Sequence, residues 1–297
     1  MHASDLSPSG GPRTVAAALR EGAAALSRSG IEDAGGDVRR LLAAALDVPS
    51  AALLREPERV LSDAELAALA RSIARRAGRE PVSRILGERH FWGRPFTITQ
   101  ATLDPRPDTE TLIAAALEIA AGEGWERPRI LDVGTGSGCL LLTLLCELDS
   151  ASGTGTDISA EALGVARDNA QRLGVAERAS WLQADLLETV LGPFHMMVAN
   201  PPYVRTSDIE CLEAEVRNFD PRIALDGGAD GLAFYRRLAA RGPGVVPHGW
   251  IVMEVGYDQA DAVVSIFSGI ARQAHVHRDV TGKRRCVAVK TRGGSHE

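Results

Sequence analysis

The sequence predicts an α/β protein, a mostly parallel sheet covered by helices on both faces and preceded by a small helical bundle. Three observations carry this. From Arg129 onward, short β-type runs alternate with stretches whose apolar residues recur at helical spacing. From Thr14 to about Leu86 the apolar spacing is helical throughout. A chain of 297 residues also has room for two domains of ordinary size.

Met1 to Pro12 is rich in Ser, Gly and Pro and has no apolar stretch of signal-peptide type, so residues 1–12 are expected to form a disordered leader. Residues 13–87 read as the helical domain. Its apolar stripes are Val15, Ala18, Leu19 and Leu26, then Val38, Leu41, Leu42 and Leu46, then Leu66, Leu69 and Ile73. Ser62-Asp63-Ala64-Glu65 is a capping-box start for the third helix.

Residues 88–104 read as a β-hairpin linker, with His90-Phe91-Trp92 and Pro95-Phe96-Thr97-Ile98 around a Gly93-Arg94 turn. Residues 105–291 form the α/β domain. Pro105 and Pro107 punctuate a loop before a helix over Thr109 to Ala121. Strands are expected at Ile130 to Val133, Gly153 to Asp157, Ala179 to Gln183, His195 to Ala199, Trp250 to Val255, His275 to Asp279 and Cys286 to Lys290. Helices are expected near Cys139 to Leu148, Ala160 to Leu173, Gly231 to Arg241 and Gln259 to Phe267. Only Val280 to Arg285 separates the last two strands, too little for a parallel crossover, so that pair must be antiparallel.

Composition narrows the function classes. With 45% hydrophobic and 24% charged residues the chain resembles an ordinary soluble protein, and no run of about 18 apolar residues calls for a membrane. A net charge of -6 argues against a partner held by its phosphate backbone. Cys139, Cys146, Cys211 and Cys286 lack CxxC spacing and read as reduced, buried small hydrophobes, which suits the cytoplasm. No metal site is expected.

Ile130-Leu131-Asp132-Val133 runs directly into Gly134-Thr135-Gly136-Ser137-Gly138 and then into a helix. Glycines serve where the backbone turns tightly and where a ligand must approach the main chain. The dinucleotide pattern GxGxxG would need glycine at position 139 and finds Cys139. Asp157 ends the next strand, where an acidic side chain can accept hydrogen bonds from both ribose hydroxyls of a nucleoside cofactor. Nicotinamide and sulfonium cofactors share that ribose, so Asp157 does not separate them. Capping of the following helix is its alternative role, for which Ser159 competes.

Asn200-Pro201-Pro202-Tyr203 follows the apolar run Phe194 to Ala199, at the strand edge where open α/β sheets bind ligands. A planar amino nitrogen has a delocalised lone pair and must be aimed before it attacks a methyl group. The Asn200 side-chain oxygen can accept one of its N–H groups and the Pro201 carbonyl, stiffened by Pro202, the other. Tyr203 can pack on the flat group. Asn200, Pro201 and Tyr203 are thus the catalytic candidates, and Pro202 joins them in holding the substrate. His195 reads as a packed or solvated residue, Glu254 as a strand-end carboxylate, and Lys283-Arg284-Arg285 as a solvated turn.

The spacing Gly134-x-Gly136-x-Gly138 resembles motif I of the methyltransferases that use S-adenosyl-L-methionine (SAM). A Rossmann-like, seven-stranded sheet with an antiparallel last strand resembles the class I fold of these enzymes. That resemblance implies contacts to SAM from Gly134, Thr135, Gly136, Ser137, Gly138, Asp157 and Asn200, with Asp185 at the adenine amino group and Leu186 on the purine face. The Asn-Pro-Pro-Tyr tetrapeptide occurs both in enzymes acting on adenine N6 in DNA and in enzymes acting on glutamine amides.

Further segments carry a narrower resemblance. Arg79-Glu80-Pro81-Val82, Gly87-Glu88-Arg89-His90-Phe91-Trp92, Leu103-Asp104-Pro105-Arg106-Pro107-Asp108-Thr109-Glu110, Asp220-Pro221-Arg222-Ile223-Ala224-Leu225-Asp226-Gly227-Gly228 and Asp230-Gly231-Leu232 are similar to the HemK/PrmC family. The resemblance spans about residues 14 to 290. It implies methyl transfer from SAM, released as S-adenosyl-L-homocysteine, to N5 of the glutamine in the Gly-Gly-Gln motif of bacterial class 1 peptide chain release factors. It also implies a cytoplasmic monomer with no direct nucleic-acid or membrane partner. A DNA or RNA adenine methyltransferase, the main rival, would call for a basic surface and a target-recognition segment.

Overall fold

The computed structural model describes residues 13–293, so the expected leader at residues 1–12 lies outside the described residues. The chain divides into two compact units. One comprises residues 13–87 and Ala214–Phe219, the other Glu88–Glu213 and residues 220–293.

The first unit is built from α1 (Val15–Arg28), α2 (Ala34–Ala45), α3 (Asp63–Ala77) and α4 (Val82–Leu86). Each long helix starts on a side chain that satisfies an otherwise orphaned N–H group. Thr14 accepts from Ala17 N and Asp33 from Gly36 N. At α3, Glu65 N donates to Ser62 Oγ while Ser62 N donates to Glu65 Oε2 at 2.7 Å, the reciprocal box expected from the sequence. The apolar stripes meet in one core that includes Leu26, Val38, Leu41, Leu42, Leu69 and Ile73.

Ala214–Phe219 groups with this unit, which interrupts the expected continuous span 105–291. Its Glu215 takes Arg76 Nη1 at 3.1 Å, and Arg76 Nε in turn reaches the buried Asp37 at 2.6 Å. A charge placed among apolar helices requires a partner, and here the partner comes from far along the chain.

The second unit opens with the hairpin β1 (Glu88–Phe91) and β2 (Arg94–Thr97). This is no free linker, because Phe91 and Phe96 are buried in the core of the α/β unit and Thr97 N donates to Asn169 Oδ1 at 2.8 Å. After α5 (Glu110–Glu123) come β3 (Arg129–Val133), α6 (Cys139–Glu147), β4 (Ser152–Asp157), α7 (Ala160–Arg172), β5 (Ala179–Gln183) and β6 (Met196–Ala199). The helix Ala214–Phe219 is α8. Then follow α9 (Ala233–Val245), β7 (Trp250–Glu254), α10 (Ala260–Phe267), β8 (Ala271–Arg278) and β9 (Arg284–Thr291).

The sheet runs β5-β4-β3-β6-β7-β9-β8. All pairs from β5 to β7 are parallel, and β9 inserts antiparallel to both β7 and β8. Asp279 makes the short return possible, since its Oδ1 accepts from Thr281 N, Thr281 Oγ1 and Lys283 N and closes the turn into β9.

Alternate strand residues face opposite cores. Ile130, Met196, Val252 and Cys286 meet α5, α6 and α7, while Leu131, Met197, Ile251 and Val287 meet α9 and α10. Burial on both sides explains why β6, and β7 up to Glu254 at its end, are apolar runs without a polar face. Of the four cysteines expected to be buried, Cys286 is; Cys139 and Cys146 are half-buried and Cys211 is exposed.

Asp132 breaks the apolar pattern of β3. It is fully buried, its Oδ2 accepts from Thr135 Oγ1 at 2.6 Å and Leu141 N at 3.3 Å, and its Oδ1 has no partner among the described residues. Burial raises its pKa to about 7 against those hydrogen bonds. The folded state therefore binds a proton that the unfolded chain, with an ordinary carboxyl near 3.8, has released. Stability from this group is greatest below that ordinary value and is lost as pH rises through about 7. Replacing Asp132 by Asn removes the loss: urea unfolding at about pH 5 and about pH 8 should show wild type falling relative to Asp132→Asn by on the order of a few kcal/mol. A difference that does not change with pH would show that Asp132 is an ordinary carboxylate.

Candidate active site

The strand order reverses at β3. The chain steps outward to β4 and β5, then returns to the other side of β3 as β6. This opens a crevice at the carboxyl ends of β3, β4 and β6. It holds a cavity of about 310 Å³, in the size range of small-molecule sites.

The floor is the loop from β3 to α6. Gly134 and Gly136 adopt φ of 72° and 56°, and the place of a Cβ at each is open space. Both line the cavity with Thr135 and Ser137. Gly138 is different. It starts α6 at φ 81°, and a Cβ there would come within 2.9 Å of Leu142 and 3.2 Å of Ala166. Its role is close helix packing, away from the cavity wall.

Asp157 sits at the end of β4 on the same wall. Its Oδ2 accepts from Gly136 N at 2.9 Å and its Oδ1 from Ser159 N at 2.9 Å, so the carboxylate is oriented by main-chain donors. Ser159 caps α7 by accepting from Ala162 N, so Asp157 is not occupied in that task.

Asp185 and Leu186 also line the cavity. Asp185 is held by Arg237 Nη2 at 2.8 Å, and Leu186 has a φ of 55°, a backbone conformation costly for a leucine. Arg237 and Phe234 come from α9 and share the wall with Ile158. Sequence reasoning missed these three. Phe234, Arg237 and Leu238 lie at helical i, i+3, i+4 spacing, but nothing in the spacing says that this stripe meets a cavity.

Asn200, Pro201 and Pro202 leave β6 and enter the cavity wall. Tyr203 was expected beside them and lies elsewhere: its ring packs against the core on the α9 and α10 face and its hydroxyl reaches Glu254 Oε1 at 3.2 Å. Burial, then the Glu254 charge, pushes its phenol well above the usual range. The glycine-rich segment after α8 wraps this turn. Gly227 N donates to Val204 O, and a Cβ on Gly227 would lie 2.8 Å from the Pro202 carbonyl oxygen and 2.9 Å from the Tyr203 Cα.

Glu254 is buried at the end of β7. Burial raises its pKa, opposed first by the Thr109 hydroxyl, then by the charge of Arg285 and the hydrogen bond from Tyr203. Arg285 was expected in a solvated turn. Its side chain is 12% exposed and its guanidinium pairs with Asp108 at 2.8 Å and Asp279 at 3.4 Å. His195 is packed, accepting from Arg129 N through Nδ1 and lying against Trp125.

The segment Arg106 to Glu110 ties these pieces together. Arg106 pairs with Asp220 at 2.6 Å, Asp108 with Arg285, Thr109 Oγ1 accepts from Asn200 Nδ2 at 3.4 Å, and Glu110 Oε1 accepts from Trp92 N at 2.8 Å. Among the described residues no group of three or more His, Cys, Asp or Glu is placed to hold a metal ion, and no helix is long and apolar enough to cross a membrane.

Known proteins resemble this chain. Residues 17–87 match the PrmC N-terminal domain and residues 108–216 the methyltransferase small domain. A release factor glutamine methyltransferase of Rhodospirillum rubrum is 45% identical over 92% of this chain and 84% of its own length. The enzyme of that name in Bradyrhizobium diazoefficiens is 42% identical over 87% and 88%, and that of Cereibacter sphaeroides 40% over 93% and 98%. Among solved structures, the hMettl16 catalytic domain in complex with the MAT2A 3′UTR hairpin 6 aligns with a TM-score of 0.52 at 14% identity, over 66% of this chain and 74% of that one. That likeness is one of fold. Identity at this level along nearly the whole of both chains establishes that the protein belongs to the SAM-dependent release factor glutamine methyltransferase family.

Proposed function

We propose that the protein methylates N5 of the glutamine in the Gly-Gly-Gln motif of class 1 peptide chain release factors, using SAM as donor. The observation that carries this is one cavity lined both by the glycine loop with Asp157 and by Asn200-Pro201-Pro202. The site fits SAM on its own terms. Gly134 and Gly136 leave the main chain open to a ligand, Asp157 is an oriented acceptor for ribose hydroxyls, and Asp185 with Leu186, Ile158 and Phe234 forms a mixed polar and apolar wall for the adenine.

When bound, SAM supplies an electrophilic methyl group and takes the bonding pair back onto its sulfur. The chain's own residues aim the nucleophile. In this reading the Asn200 side-chain oxygen and the Pro201 carbonyl accept the two N–H groups of the glutamine amide, holding its nitrogen toward the donor. Accepting these protons also draws electron density onto the nitrogen. Once the N–CH3 bond forms, the nitrogen is cationic and its proton is acidic enough to leave to solvent without a strong base. Tyr203 anchors the turn from below in place of stacking on the substrate. The net charge of -6 fits a protein substrate better than nucleic acid, and the reading takes the enzyme as a cytoplasmic monomer.

With labelled SAM and purified release factor, mass spectrometry should locate the methyl on the Gly-Gly-Gln glutamine, with duplex DNA unlabelled. Label on DNA and none on that glutamine would overturn the assignment. Asn200→Ala should lower transfer by at least about 100-fold while SAM binding stays within about 3-fold; full activity would take Asn200 out of the mechanism. Asp157→Ala should weaken SAM affinity by about 10- to 100-fold in calorimetry, as expected for loss of charge-assisted hydrogen bonds, and unchanged binding would disprove the ribose contact.

A further inference from the structure

We infer that Ile223 is a specificity residue for the protein substrate: it forms an apolar lip at the mouth of the cavity and packs against the release-factor main chain beside the glutamine. This rests on the proposed methylation of a release-factor glutamine.

Large apolar side chains open to water are scattered over any protein surface and singly need no explanation. Two on the described residues differ, because they also line the cavity: Ile158, 49% exposed, and Ile223, 59% exposed. A residue that is both on the wall and about half open to water stands at the mouth. Ile158 follows Asp157 and belongs to the wall assigned to the adenine. Ile223 belongs to the substrate side. Val204 N donates to Leu225 O at 3.0 Å and Gly227 N to Val204 O at 2.8 Å, so the turn that carries Ile223 runs directly into the main-chain pairing beside Asn200-Pro201-Pro202-Tyr203.

That turn holds its shape without any substrate. Before it, Asp220 Oδ2 accepts from Arg106 Nη2 at 2.6 Å and Oδ1 from Asp104 N at 3.3 Å. Pro221 restricts the entry, and the turn closes on itself as Ala224 N donates to Pro221 O at 2.9 Å and Leu225 N to Arg222 O at 3.0 Å. The charge of the adjacent Arg222 is met by Glu210 at 3.5 Å and Asp226 at 3.9 Å. Pro221, Ile223 and Ala224 are left as an apolar edge of the cavity on a fixed backbone.

The substrate supplies the cover. The amide nitrogen of a glutamine is four bonds, roughly 5 Å, from its own Cα. With the amide at Asn200 inside the cavity, the main chain stays at the mouth and lies across the lip. The two glycines before the glutamine carry no Cβ, so their peptide units can approach an isoleucine closely. Such a contact removes apolar surface from water in ground state and transition state alike, and so contributes to affinity rather than to aim.

The test is Ile223→Ala. KM for release factor should rise about 5- to 20-fold, with kcat and Kd for SAM within about 3-fold of wild type, the split expected when uniform binding is lost. Ile223→Leu should keep KM within about 3-fold of wild type, and Ile223→Asp should raise KM beyond Ile223→Ala because it sets a charge against the covering chain. A side chain this exposed contributes little to folding, so the variants should fold, and any one of them can be read without the others. Wild-type KM in Ile223→Ala, or a loss confined to kcat or to SAM binding, overturns the inference. Wild type measured in parallel separates the two levels: if it methylates the Gly-Gly-Gln glutamine while Ile223→Ala keeps wild-type KM, only the role of Ile223 fails, and if it leaves that glutamine unmethylated, the proposed function fails first.

Discussion

Parallel pairing of β3 with β4 on one side and β6 on the other is the constraint from which the site follows. Parallel neighbours cannot be joined by a tight turn, so each connection travels back over a face as a helix and every strand ends at the same edge. Because the chain leaves β3 in one direction and later returns on its other side, helices depart to opposite faces and a crevice remains between them. The glycine loop, Asp157 and Asn200 are brought together by that edge alone. They lie far apart in sequence and share no element.

A second layer of organisation is polar and costly. Asp132, Glu254, Asp220 and Asp279 are all nearly inaccessible, in positions where apolar residues would pack with less loss of hydration. Their partners explain them better than stability does. Asp132 holds the first turn after β3, Asp279 closes the return to β9 and receives Arg285, and Asp220 receives Arg106. Arg285 also holds Asp108. The Arg106–Asp220 and Arg285–Asp108 pairs tie segments far apart in sequence, while Asp132 and Asp279 shape the turns beside them.

The contact between the glycine-rich segment and the Asn200 turn is equally specific. Gly227 is required because a side chain would strike the Pro202 carbonyl and the Tyr203 backbone. Tyr203 O in turn accepts from Gln259 Nε2 at 2.9 Å, so the base of α10 also supports the turn. A motif that chemistry would single out for its reactive face is thus held in place from its other side.

Much of this was legible from the sequence by itself. Period and punctuation determined the helical region, the alternation of strands and helices, the capping box at Ser62 and the antiparallel last pair, because those features depend on local sterics and on how far a short loop can reach. Asn200-Pro201-Pro202 and the glycine loop stood out in the sequence by residue type at fixed spacing, and the structure places most of the residues so singled out on one cavity wall. What only the tertiary structure decided are matters of which distant side chain fills which gap: Tyr203 turned to Glu254, Gly138 packed on α7, Arg285 drawn onto Asp108, Phe234 and Arg237 brought to the cavity, and Ala214–Phe219 joined to the helical unit. Burial and ion pairing depend on three-dimensional neighbours many residues away, and no local pattern in the chain encodes who those neighbours are.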